Sequence, residues 1–252
     1  LPSFDLPPVI GHRGAAAIAP ENTLAGFREA KRLACSWVEF DVRLTGDGVP
    51  IVCHDSRLRR TTDGHGLIAR LPLAMVQAYD AGRHFDPRFA DERVPTLDEV
   101  LTLAGELELG VNIEIKADRG LAAATAEAVA DSLKRFAGRL HGILVSSFII
   151  EALEAFRPLM PEIATGLLIG RLPTNWQALA DRLGCTTINL AQHRLTPARV
   201  ARLSAAGYPV LAYTVNDPAR ARLLYEWGVT SVFSDKPDII LSSAASIAAG
   251  SR

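Results

Sequence analysis

Strand-like and helix-like segments alternate along the whole chain, and this limits the folds it can adopt. Strand candidates fall at 9–11, 37–44, 111–116, 143–147, 163–169, 187–190, 210–215 and 231–233. Helical patterns fill 23–33, 97–103, 121–136, 150–157, 176–183, 197–205 and 218–227. Several helix starts carry a capping signal. Thr96 with Glu99 reads as a capping box, and Pro197 and Pro218 directly follow Thr196 and Asp217. Strands alternating with helices in this way predict an α/β fold, a closed parallel (β/α)8 TIM barrel. A doubly wound open sheet is the alternative, and no glycine-rich dinucleotide fingerprint supports it.

One stretch breaks the alternation. From Pro50 to about Arg93 come a short strand candidate at 51–53, the turn-rich "TTDGHG" and "DAGRHFDPRFADERVP". This is too long for an ordinary strand-to-helix loop. It reads as an insertion after the second strand, at about 55–94, on the barrel's C-terminal side where it would wall a site. At 252 residues and 48% hydrophobic content, the chain can otherwise bury one large core, so a single domain is expected. The small-residue tail "SSAASIAAGSR" reads as a fraying helix end.

Composition removes several function classes. Formal net charge is -1 and no basic cluster stands out, so neither nucleic acid nor an anionic membrane surface is expected as partner. No apolar run reaches the roughly 18 residues of a membrane span. Cys35, Cys53 and Cys185 are scattered and odd in number, which fits a reducing compartment and a cytoplasmic location. The chain opens at Leu1, so a missing signal peptide adds little to that expectation. The expected partner is a small molecule, and assembly into a homo-oligomer stays open.

The chemistry begins in "WVEFDVRL". Period-two alternation puts Val38, Phe40, Val42 and Leu44 on one face and Trp37, Glu39, Asp41 and Arg43 on the other. Alternation alone leaves open which face looks inward. "VNIEIK" repeats the pattern, with Asn112, Glu114 and Lys116 on one face. Helices cover the outside of a barrel, so the apolar rows belong outside, and Glu39, Asp41 and Glu114 would then aim at one cavity. Two like charges about 4 Å apart repel by roughly 4 kcal/mol at an effective dielectric of about 20. A divalent cation is the natural compensation, and all-oxygen ligands favour Mg²⁺ or Ca²⁺ over zinc.

His12 and His54 each stand at the end of a predicted element and would face one another across that opening. Arg13 and Lys116 add positive charge suited to an oxyanion such as phosphate. His65, in "DGHG", reads as a turn residue; His84, His141 and His193 have no such setting, and Cys53 reads as packing.

These residues carry a resemblance. "HRG…PENT" (His12 to Thr23), "EFD" (Glu39 to Asp41), "HD" (His54, Asp55), "EIK" (Glu114 to Lys116) and "YTVN" (Tyr213 to Asn216) resemble the glycerophosphodiester phosphodiesterases. The similarity extends to "RRTTDGHG…FDPRFADERVPTLDEVL" and "GVTSVFSDKPD", and so covers nearly the whole chain. It implies a metal-dependent TIM-barrel hydrolase releasing an alcohol and sn-glycerol 3-phosphate. His12 and His54 would be the acid–base pair, Glu39, Asp41 and Glu114 the metal ligands, and Arg13 and Lys116 the phosphate contacts. Tyr213 stands on the substrate wall where the family often has tryptophan, and Ser234 precedes Asp235 where threonine is common. Both departures bear on headgroup preference, which is expected to be loose because the insertion near 85–93 offers mixed aromatic and charged side chains rather than one defined pocket.

Neither the attacking group, water or the substrate's own glycerol 2-hydroxyl, nor the division of acid and base roles is fixed by sequence. Competing readings are a phospholipase cleaving on the other side of phosphate, a metal-dependent sugar isomerase, and a phosphate-ligand binding protein without catalysis. An obvious interfacial apolar helix would favour the first, and the sequence shows none. The second gives less reason for Arg13 beside His12, and the two histidines argue against the third.

Overall fold

The computed structural model describes residues 5–136 and 138–242. The chain runs β1 (Val9–Gly11), α1 (Leu24–Arg32), β2 (Trp37–Leu44), β3 (Pro50–Val52), α2 (Leu73–Val76), α3 (Leu97–Glu106), β4 (Gly110–Ile115) and α4 (Ala122–Phe136). It continues with β5 (Ile143–Ser147), α5 (Ile150–Leu159), β6 (Ala164–Ile169), α6 (Trp176–Leu183), β7 (Thr187–Ala191), α7 (Pro197–Ala205), β8 (Val210–Tyr213), α8 (Pro218–Glu226) and β9 (Ser231–Ser234). Strand order is β1-β9-β8-β7-β6-β5-β4-β2-β3, and β1 also pairs with β2. All pairings are parallel except β2 with β3, so eight parallel strands close into the expected (β/α)8 barrel. The predicted caps form. Thr96 and Glu99 make both bonds of a capping box, Thr196 accepts from Arg199 N, and Asp217 accepts from Ala219 N.

The apolar rows face outward. Val38, Phe40 and Val42 share a buried cluster with Phe27 of α1, Leu101 of α3 and Val129 of α4. A second cluster lies beneath α5 to α8, around Leu153, Trp176, Val200 and Leu224. The floor of the barrel interior is apolar, built from Ile10, Trp37, Leu144, Ala164, Leu211 and Phe233. The Trp37 indole dictates two small neighbours. A Cβ on Gly110 would lie 2.2 Å from its ring, and one on Gly142 would lie 2.4 Å away. Above this floor polar side chains begin, with Asn112 donating to Ser146 Oγ at 3.1 Å.

Where β1 stops, another strand takes over its edge. β1 meets β2 only through Gly11 and Val38. Beyond that point β3 doubles back antiparallel, matching Val42 with Val52, Arg43 with Ile51 and Leu44 with Pro50. The inserted segment then folds on its own small core of Ile51, Cys53, Leu58, Ile68, Val76, Ala81 and Val94. It contains α2 and three short 3₁₀ turns (Leu58–Arg60, Ile68–Arg70, Pro87–Phe89) rather than structureless loop. Asp80 ties its return by accepting from the backbone N–H groups of Gly82, Arg83 and Asp91.

Some boundaries differ from expectation. The short strand is 50–52 rather than 51–53. β8 ends at Tyr213 rather than 215, although Val215 N–H still donates to Phe233 O of β9 at 2.8 Å. The tail expected to be a fraying helix end lies, beyond Ser242, outside the described residues. Among the described residues no helix is long and apolar enough to cross a membrane. Cys35, Cys53 and Cys185 are free and buried.

The tight floor gives a stability test. Gly110→Ala should destabilise by about 1–3 kcal/mol, the usual cost of overpacking a core. Gly170→Ala, whose Cβ meets nothing within 4 Å, should stay within about 0.5 kcal/mol of the parent in urea denaturation.

Candidate active site

Glu39 and Asp41 rise from β2 and Glu114 from β4, with Asp41 and Glu114 in direct register. The shared strand period turns all three carboxylates into the mouth, where they are 3%, 1% and 8% exposed. One oxygen from each lies within 4.8 Å of the others. Fixed cations stand among them. Arg13 Nε is 3.2 Å from Asp41 Oδ2, and Lys116 Nζ is 2.8 Å from Glu114 Oε1 and 3.6 Å from Asp41 Oδ1. Asn22 donates to Asp41 Oδ2 at 2.9 Å, and Arg13 N–H donates to Glu39 Oε2 at 3.0 Å. Asp41 Oδ1 is buried with no hydrogen-bond donor. Such an orphaned oxygen is costly unless something binds it, and a hard cation with oxygen ligands fits this donor set.

The turn after β1 explains "GHRG". Gly14 has φ 91°, and a Cβ there would sit 2.8 Å from the Gly26 carbonyl. Arg13 also adopts positive φ, 51°, which aims its backbone N–H at Glu39. His12 N–H is held by Ser234 O at 2.8 Å, while His12 Nδ1 lies 2.6 Å from Asp235 Oδ1. Asn216 clamps that carboxylate in turn, donating to Asp235 Oδ2 at 2.6 Å and accepting Asp235 N–H at 2.8 Å.

His54 arrives by the β3 detour. Cys53 N–H donates to Asp41 O at 2.9 Å, and Arg43 Nε donates to His54 O at 2.8 Å. His54 Nδ1 lies 2.7 Å from Asp55 Oδ1, and Arg60 grips both Asp55 and Glu21. Glu21 also accepts from Arg13 at 2.9 Å. Both histidines therefore have Nδ1 beside a carboxylate, which fixes the ring and leaves Nε2 for the cavity. His12 Nε2 is 3.8 Å from Glu39.

Burial, and after it the charge of Asp41, pushes Glu39 up to about 8 and Glu114 up to about 7. Burial would raise Asp41 too, but Arg13 and then Lys116 hold it below the usual carboxylate range. For His12, burial is outweighed by the Asp235 hydrogen bond and Glu39, so its pKa rises. For His54 burial prevails, aided by Arg13 and Lys116, and its pKa falls.

The mouth encloses about 220 Å³ that both histidines, Glu39 and Lys116 line. Tyr213 and Phe148 wall one side as an edge-to-face pair 5.7 Å apart, with Lys116 over the Phe148 ring. All eight residues singled out for the site thus converge, except that Asp41 stays just behind the surface. Asp235, Asn216, Asp55, Asn22, Glu21 and Arg60 received no role from the sequence. Asp235 stands 223 residues from His12, and nothing local to either ties them together. His65, His84, His141 and His193 are exposed and outside the cavity. The insertion reaches the site through 54–60, whereas residues 85–93 do not line it.

The carboxylate shifts carry a sign. Folded Glu39 keeps its proton up to about pH 8, whereas an unfolded glutamate releases it near 4.5. Its stabilising contribution is therefore present below pH 4.5 and lost as pH rises to 8. In EDTA, Glu39→Gln should melt progressively higher than the parent as pH goes from 5 to 8. A divalent ion taken up by the three carboxylates should narrow that gap by stabilising the parent more than the variant, and a gap independent of pH would contradict the raised Glu39 pKa.

Comparison with known proteins agrees with the geometry. A sequence model of the glycerophosphoryl diester phosphodiesterase family matches residues 12–239. A glycerophosphodiester phosphodiesterase from Caldanaerobacter subterraneus is 32% identical over 235 residues, covering 93% of this chain and 96% of the relative. One from Bacillus subtilis is 28% identical over 246 residues, covering 91% and 84%. The solved structure of an Oleispira antarctica phosphodiesterase, in complex with the product sn-glycerol-3-phosphate, superposes with a TM-score of 0.93 at 41% identity, covering 95% and 97%. With both the barrel and the sequence held in common over nearly its full length, this chain belongs to the glycerophosphoryl diester phosphodiesterase family and is a phosphodiesterase.

Proposed function

We propose that the chain hydrolyses glycerophosphodiesters to an alcohol and sn-glycerol 3-phosphate, using His12 and His54 as its acid–base pair and a divalent ion held by Glu39, Asp41 and Glu114. The observation that carries this reading is one mouth holding three buried carboxylates between two carboxylate-anchored histidines. The product complex of the Oleispira relative supports the substrate class. Bound at the oxygen-only ligand set, Mg²⁺ or Ca²⁺ would neutralise charge on the phosphoryl oxygens.

The chain's own groups supply the rest. Arg13 and Lys116 stand beside the carboxylates, placed to bind the non-bridging oxygens of an anionic phosphodiester. One histidine removes a proton from the attacking O–H as the new P–O bond forms, either from water directly or from the glycerol 2-hydroxyl, whose cyclic phosphate water then opens to glycerol 3-phosphate. The other delivers a proton to the departing alcohol oxygen as the old P–O bond breaks. Asp235 and Asp55 fix the two rings, so that each exchanges protons through Nε2. Tyr213 donates its hydroxyl to Ile169 O at 3.0 Å, presenting its ring as the wall for the glycerol carbons.

His12→Ala and His54→Ala should each lower turnover at least about a hundredfold, the usual scale for a general acid or base. Exposed His65→Ala should change it little. Incubation with glycerophosphocholine should yield choline and glycerol 3-phosphate; phosphocholine and glycerol would instead indicate the phospholipase-like cut. EDTA should abolish turnover, and Mg²⁺ or Ca²⁺ should restore it. Full activity in EDTA would remove the metal and leave Arg13 and Lys116 to neutralise phosphate alone.

A further inference from the structure

A second cleft of about 600 Å³ opens beside the catalytic mouth and shares His54 with it. Its walls are unusually basic, with Arg43, Arg57, Arg59 and Arg60 against Asp55 and Ser56. Arg43 is committed to Asp118 at 3.1 Å, and Arg60 to Asp55 and Glu21. Arg57 and Arg59 have no side-chain hydrogen bond or ion pair among the described residues, and both are exposed. They are nonetheless fixed at their base. Leu58 between them is fully buried in the insertion's core, and the 3₁₀ turn Leu58–Arg60 splays the arginines outward.

The catalytic mouth, at about 220 Å³, is the smaller of the two. With phosphate at the carboxylates and glycerol against Tyr213, as proposed above, the alcohol on the other side of the phosphate lies toward an opening of the mouth. Two large clefts adjoin the mouth among the described residues. The one past Thr214 offers a single arginine, Arg220, already bound to Gln192 at 2.8 Å beside Asp217. The one past His54 offers two uncommitted guanidiniums. Resting on the proposed glycerophosphodiester hydrolysis, we infer that the Arg57–Arg59 cleft is the headgroup subsite and selects headgroups carrying their own anion, a carboxylate or a phosphate. Forked guanidinium donors suit both anions.

Matched substrates test this. Glycerophosphoserine differs from glycerophosphoethanolamine by one carboxylate, and a phosphorylated glycerophosphoglycerol differs from its parent by one phosphate. The enzyme should favour the anionic member of at least one pair by about tenfold in kcat/KM, and that pair identifies the anion. Added salt should shrink the preference, because the arginines are exposed. Arg57→Ala/Arg59→Ala should abolish it while leaving the members without the added anion within about twofold, and the double lysine variant should recover part of it. Equal rates within both pairs, or a preference that survives the double alanine variant, would overturn the subsite. Failure to cleave any of the four would instead overturn the underlying hydrolysis.

Discussion

Three carboxylates buried in one barrel mouth repel each other, and much of the neighbouring architecture answers that repulsion. Glu39, Asp41 and Glu114 meet there because adjacent parallel strands project in-register side chains to the same side. Arg13, Lys116 and Asn22 lean on them, yet Asp41 Oδ1 remains buried without a donor and two of the three carboxyls are pushed well above their ordinary range. The site is thus predisposed to take up positive charge. Arg13 and Lys116 offset the carboxylates' charge here, and under the proposed function the same two groups would face the substrate's phosphate.

The short first strand shapes the rest of the site. Because β1 ends at Gly11, the chain can turn immediately and place His12 and Arg13 over the mouth. The edge of β2 left beyond that end is taken by β3, whose exit delivers His54 to the other side. The insertion that follows therefore has a local cause and a local function. It completes β2's hydrogen bonding, and its own core sets the arginine-lined rim.

The two histidines are held by similar means with opposite electrostatic results. Each has Nδ1 against an aspartate, and each aspartate is clamped by a further side chain, Asn216 for one and Arg60 for the other. Asp235 and Glu39 raise His12, whereas burial with Arg13 and Lys116 nearby lowers His54. Opposed environments suit the acid–base pair proposed here.

Periodicity alone carried the barrel, because strand and helix repeats are local properties of the chain, as were the caps at Thr96, Thr196 and Asp217. The polar rows of "WVEFDVRL" and "VNIEIK" became legible as inward-facing once a barrel was assumed, since helices occupy the outside. That reasoning reached Glu39, Asp41, Glu114, His12 and His54, and the family resemblance reached their expected roles. Contacts between distant segments were not legible. Asp235 meets His12, and Asn216 meets Asp235, only when β8 and β9 close the barrel against β1. The basic cleft was equally hidden, because "SRLRR" within a chain of net charge -1 announces no cluster. Sequence determined which side chains each strand presents and to which face, because that depends on a two-residue repeat. Tertiary structure alone decided which of them meet, because barrel closure and the β3 detour join segments that no local pattern connects.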